Sequence, residues 1–263
     1  MEAIFWCEFP EKVDWKQAKK LIKFKTEIYV AVKTRREYES WKKKIKSKNI
    51  QTGAWPKLTE EEGYWFSGHL DKEKIDRLKE FKGINIKVDI EPPFPGKKLR
   101  ISRLLFTYFL PAIMRKGENN RYLEDTVRAL RERVIISGFP LPTWITRRYG
   151  DITELGKKME KNFISYTTLT SKTLTRMYIK CFAKKMIKKY GDKAIFAIGC
   201  TGKGIFGDEK TYRNIYDFKN DLQMIKNTGA NKIVVFNLEG IMERADKKDW
   251  LKEIEKVTYD QFS

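Results

Sequence analysis

"TLTRMYIKCFAKKMIKKYGDKAIFAIGC", residues 173–200, changes character once. Residues 173–190 read as a helix, Gly191 interrupts it, and the apolar run 194–200 reads as a strand buried on both faces. The same alternation extends in both directions. Upstream, strands are expected at 3–9, 27–32, 50–55, 84–91, 134–139 and 163–168, with helices at 14–24, 34–47, 71–81 and 121–133. Asp14 is an expected N-cap, Thr34 and Glu37 have capping-box spacing, and Gly83 stops a helix. Downstream, helix 217–229, strand 232–238 and helix 246–257 complete the pattern. Eight strands alternating with helices are the signature of an α/β fold of the (β/α)8 or TIM-barrel type, with a doubly wound open sheet as the alternative. A chain of 263 residues suits one such barrel. We therefore expect a single domain over 1–263, elaborated after strand four, where an apolar segment (101–114) interrupts the connection.

Composition narrows the classes of function. No apolar run is long enough for a membrane helix, and the N-terminus lacks the basic region of a signal peptide, so a soluble cytoplasmic protein without a membrane partner is expected. Cys7, Cys181 and Cys200 are odd in number and lack metal-site spacing, which predicts thiols rather than disulfides or zinc. The net charge of +20 comes from lysines spread along helices, with acids three or four residues away. That pattern reads as solvated helix faces, and a polyanion-binding surface is the alternative; no specific nucleic acid is expected. Abundant Lys and Glu also fit a thermophile's surface.

Candidate chemistry sits at strand ends. In "INIKVDIE" (84–91) Ile84, Ile86, Val88 and Ile90 alternate with Asn85, Lys87, Asp89 and Glu91. Successive side chains point to opposite faces, so the polar set would line the barrel and bring Asp89 and Glu91 to its C-terminal mouth. Pro92 and Pro93 deny the ladder further donors and end the strand there. Glu8 at the end of strand one, and Glu239 and Asn237 at the end of strand eight, would join the rim, with Trp6, Trp55, Trp65, Trp144, Tyr64 and Tyr166 as flat surfaces for sugar rings. Paired carboxylates suit glycoside hydrolysis, one protonating the leaving oxygen while the other stabilises positive charge or attacks.

Asp89-Ile90-Glu91-Pro92-Pro93, together with "TGAW" (52–55), resembles the strand-four and strand-three motifs of family 18 glycoside hydrolases, the chitinase and endo-β-N-acetylglucosaminidase class. The resemblance implies Glu91 as acid/base, Asp89 orienting a substrate acetamido group that acts as nucleophile, and Tyr166 on strand six assisting it. Ile84 and Lys87 stand where the family has its first two aspartates, and strand eight carries Phe236, Asn237 and Glu239 in place of the family's aromatic.

Other readings stay open. Lys87 is an internal ion-pair partner of Asp89 or Glu8, or else a Schiff-base lysine. "CTGKGIFGDEK" (200–210) is a phosphate loop, through Gly202, Lys203, Gly204 and Gly207, or a plain flexible loop. Glu8, Asp89, Glu91 and Glu239 offer oxygen ligands for a divalent metal, giving a metal-dependent enzyme on a phosphorylated or carboxylated metabolite as the alternative function. The glycosidase reading itself needs no cofactor. His69 is the only histidine and reads as a loop residue, which argues against His-based chemistry.

Overall fold

The computed structural model describes residues 1–92, 110, 114–169 and 172–259. Its eight parallel strands close into a barrel in sequence order: β1 Glu2–Cys7, β2 Thr26–Val32, β3 Ile50–Pro56, β4 Ile86–Asp89, β5 Val134–Gly138, β6 Met159–Ile164, β7 Ala194–Gly199 and β8 Lys232–Phe236. The TIM-barrel expectation therefore holds. The apolar segment expected at 101–114 lies mostly outside the described residues.

Two compact units make up the chain. One comprises Met1–Val30, Ser40–Thr52 and Phe163–Ser263; the other comprises Ala31–Glu39 and Gly53–Asn162. In the first, β1 pairs with β2 and β8, and β7 with β8; in the second, Ile86 of β4 is the register partner of Ala54 on one side and Val134 on the other. Ile86, Lys87, Val88 and Asp89 are all buried, as a strand covered on both faces requires.

Caps follow the sequence. Asp14 accepts the Gln17 amide at 3.0 Å at the start of helix Trp15–Leu21. Thr34 accepts the Glu37 amide before helix Arg35–Ile45, and Glu37 reaches back to the amide of Lys33.

Four strand ends differ from expectation, the first being β1, which stops at Cys7 and leaves Glu8 just beyond the strand rather than in it. β6 begins at Met159 and stops at Ile164, so Tyr166 lies beyond the strand rather than on it. Polar Glu160, Lys161 and Asn162 conceal this strand in the sequence, because tertiary partners absorb their polarity: Arg133, Asp151 and Ser137 respectively. β8 stops at Phe236, since Asn237 caps a short helix, Leu238–Met242, by accepting the Gly240 amide at 3.0 Å. Glu239 thus sits in a first helical turn, not at a strand end. Glu91 lies just past β4, where Phe66 runs alongside: its amide donates to Asp89 O, and the amide of Glu91 donates to Phe66 O, both at 3.1 Å.

Gly202 of the glycine loop has a packing role. A Cβ on Gly240 would stand 2.2 Å from the Gly202 nitrogen and 2.3 Å from its Cα. Both atoms are backbone and cannot swing aside. Gly240→Ala is therefore expected to destabilise the protein by about 3 kcal/mol, read as a lower urea midpoint at unchanged m-value.

Candidate active site

The second unit gathers Trp55 from β3 and Lys87, Asp89 and Glu91 from β4 and its extension. Trp55 Nε1–H donates to Asp89 Oδ2 at 2.6 Å. The Lys87 ammonium lies 2.9 Å from Oδ2 and 2.8 Å from Oδ1 of the same carboxylate. It also stands 3.3 Å from the centroid of the Trp55 ring, a cation–π contact. Lys87 and Asp89 are 2% and 3% exposed, so this ion pair is formed away from water, where hydrogen bonds to both partners decide whether it is tolerated. Of the two roles open to Lys87, the structure gives it the ion pair.

Asp89 is the register partner of Ser137 on β5, and Ser137 Oγ accepts from Asn162 Nδ2 at 2.8 Å. A buried polar row thus crosses β4, β5 and β6. Ser137 escaped the sequence reading because it is uncharged in a strand read as apolar, and Asn162 because it precedes the stretch read as strand six. Glu91 is buried too, at 5% exposure. Its charge reaches Tyr149, whose hydroxyl pKa is raised well above the usual value, first by burial and then by Asp151 and Glu91. The Tyr149 hydroxyl is buried and has no hydrogen-bond partner among the described residues.

In the first unit Glu8 and Glu239 meet. Glu239 Oε1 accepts the backbone amides of Glu8 at 3.0 Å and Phe9 at 3.1 Å. Burial raises the Glu239 carboxyl to about 7; the charge of Glu8 adds to this, and backbone hydrogen bonds oppose it. Glu209 joins them: a Cβ on Gly204 would lie 2.8 Å from Glu8 Oε2 and 2.9 Å from Glu209 Oε1, so both carboxylates converge on that glycine. Burial also raises Glu209. Its place in an irregular loop gave the sequence reading no strand or helix period by which to locate it.

The Glu239 value fixes a sign. Its folded-state pKa exceeds the ordinary 4.5, so the native state holds the extra proton and stability falls as pH rises from about 4.5 to about 7. At 1.36 kcal/mol per unit the loss is at most about 3 kcal/mol. Urea unfolding at pH 5 and pH 8 should show it in the wild type, and Glu239→Gln should flatten that part of the profile.

The remaining expected site residues are placed as follows. Trp6 is 1% exposed and meets Tyr29 edge-on at 5.3 Å, so it is core. Trp55 does not offer the flat sugar platform expected of it, because Lys87 covers its ring. Trp65 is buried edge-on to Tyr64 at 5.2 Å. Tyr166 stacks on Phe236 at 5.2 Å. The Asn237 side chain, besides capping its helix, donates to Lys203 O at 3.3 Å. Among the described residues, no group of three or more His, Cys, Asp or Glu side chains is placed to hold a metal ion, no disulfide forms, and no helix is long and apolar enough to cross a membrane.

No protein-family model and no curated protein matches the chain. Solved structures do. The glycoside hydrolase domain of PgaB (BpsB) from Bordetella bronchiseptica aligns at a TM-score of 0.63 with 11% identity, covering 95% of this chain and 98% of that one. A xylose isomerase domain protein from Planctomyces limnophilus aligns at 0.53 with 11% identity and 97% of both chains covered. The catalytic domain of a family 18 chitinase from the fern Peteris ryukyuensis aligns at 0.48 with 13% identity, covering 97% of this chain and 98% of that one, a likeness too low to argue from. At 11% identity the first two matches show a shared fold, the TIM barrel, and nothing finer.

Proposed function

We propose that the protein is a hydrolase that cleaves a glycosidic bond, with Glu91 as general acid/base and Asp89 as a fixed carboxylate beside it. The clamp on Asp89 is the observation that carries this reading. Lys87 and Trp55 both donate to Oδ2 of one carboxylate, Oδ1 lies within ion-pair distance of the same ammonium without a hydrogen bond of its own among the described residues, and a second acid follows two residues later, just past the strand. A reaction that builds an oxocarbenium-like charge needs one carboxyl to deliver a proton and another to hold its place. Lys87 and Trp55 then act on Asp89 rather than on the sugar. The glycoside hydrolases among the similar structures support the reading at the level of fold. The reaction uses the chain's own carboxylates and calls for no cofactor.

Glu239 favours a second assignment within the same chemistry. A carboxyl near 7 beside Glu8 is about half protonated at neutral pH and can serve as the acid. The two are separated by assaying wild type, Glu91→Gln and Glu239→Gln on N-acetylated oligosaccharides from pH 4 to pH 9. Loss of turnover in Glu91→Gln alone supports the first assignment. Loss in Glu239→Gln alone, with the limb near pH 7 abolished, supports the second. Wild type inert on N-acetylated and plain oligosaccharides alike would defeat both.

A further inference from the structure

Helix Lys172–Tyr190 buries one apolar side and leaves a second largely exposed, although Tyr178 on that second side stacks on Phe182 at 5.8 Å. Ile179, Ala183 and Met186 are buried against the unit's core. On the opposite side Leu174, Met177 and Tyr178 are 71%, 64% and 50% exposed, at the i, i+3, i+4 spacing that forms one stripe. Farther along, this outer side turns basic, with Lys184, Lys185 and Lys188 all exposed. On the neighbouring helix Ile215–Lys226, Tyr216 is the second residue and is 69% exposed. The two helices are locked together by Arg176, which pairs with Asp221 at 2.6 Å and donates to Asp217 O at 3.2 Å. The stripe therefore lies on a helix that Arg176 ties to its neighbour.

We propose that this face docks on an anionic lipid bilayer, with Leu174, Met177, Tyr178 and Tyr216 entering the interfacial layer and Lys184, Lys185 and Lys188 meeting lipid phosphates. Charge complementarity selects the partner: the chain carries +20, and lysines continue the apolar stripe. An apolar edge with basic residues beside it is the pattern of a helix lying in the plane of a membrane surface, where apolar burial and attraction to anionic headgroups add. Nucleic-acid phosphates would reward the lysines but not Leu174 and Met177, whose aliphatic side chains gain only by leaving water. This proposal departs from the expectation of no membrane partner and is independent of the reaction assigned above.

Vesicle co-sedimentation of the full chain tests it. Wild type is expected to sediment with phosphatidylcholine/phosphatidylglycerol vesicles and to stay in solution with phosphatidylcholine alone, with binding weakened by salt. Leu174→Ser/Met177→Ser and Lys184→Glu/Lys185→Glu/Lys188→Glu should each weaken partitioning at least about tenfold at unchanged melting temperature, since every substituted side chain is exposed. Three results would overturn the proposal: no sedimentation with anionic vesicles, binding indifferent to Leu174→Ser/Met177→Ser, or a wild-type dimer by light scattering that those two substitutions dissociate. Single-stranded RNA bound more tightly than the vesicles, through the lysines alone, would also overturn it.

Discussion

Glu91→Gln is expected to lower kcat on the glycosidic substrate by a factor of about 10² to 10⁴, the range that a positioned general acid contributes. Gln keeps the size of the side chain and its hydrogen-bonding capacity but cannot release a proton. KM and the melting temperature should therefore change little. The neighbouring substitution Asp89→Asn is a poorer probe. It strands the buried Lys87 ammonium without its carboxylate, and breaking a buried pair costs about 3–5 kcal/mol, so lost activity would be confounded with lost stability. For the same reason Lys87→Met is expected to disturb Asp89 before it disturbs chemistry. A kcat for Glu91→Gln within threefold of wild type would remove Glu91 from the mechanism.

A large loss of stability is also expected at Asp221. Its carboxylate is fully buried and serves three donors: the Tyr212 hydroxyl at 2.7 Å, the Arg176 Nε–H at 2.6 Å, and the Thr167 hydroxyl. Asp221→Ala would leave Tyr212 and Thr167 with buried, unmet hydroxyls and Arg176 without its counter-charge. Arg176 is about one quarter exposed, so water recovers part of the loss. The expected cost is about 3 kcal/mol, which for a chain of this size lowers the melting temperature by about 10 °C. Asp221→Asn keeps one acceptor oxygen and should fall between the two. A shift below about 3 °C for Asp221→Ala would mean that the network is not a structural hub. Because Arg176 ties together the two helices that carry the exposed stripe, the same variant should also weaken sedimentation with anionic vesicles.

How much was legible in the sequence follows from what each residue answers to. Alternation of apolar runs with helical periods set the barrel, because burial on both faces of a parallel strand leaves few polar residues in it. Local chemistry set the caps: Asp14 and Thr34 bond amides three residues away. The alternation of 84–91 placed Lys87 and Asp89 together, since side chains two apart on a strand share a face.

Only tertiary structure decided the rest. β6 was displaced because Glu160, Lys161 and Asn162 are polar in sequence yet satisfied across the fold by Arg133, Asp151 and Ser137. Glu239 moved from a strand end to a helix turn because Asn237 caps that turn, and its proton affinity comes from burial and from Glu8, more than two hundred residues away along the chain. Trp55 became a support for Asp89 because Lys87 occupies its ring face. The sequence by itself determined the order of strands and helices and the position of most of them, because short-range periodicity carries that information. Partners, protonation and exposure depend on desolvation and on groups brought together only by the closed barrel, and no local pattern encodes them.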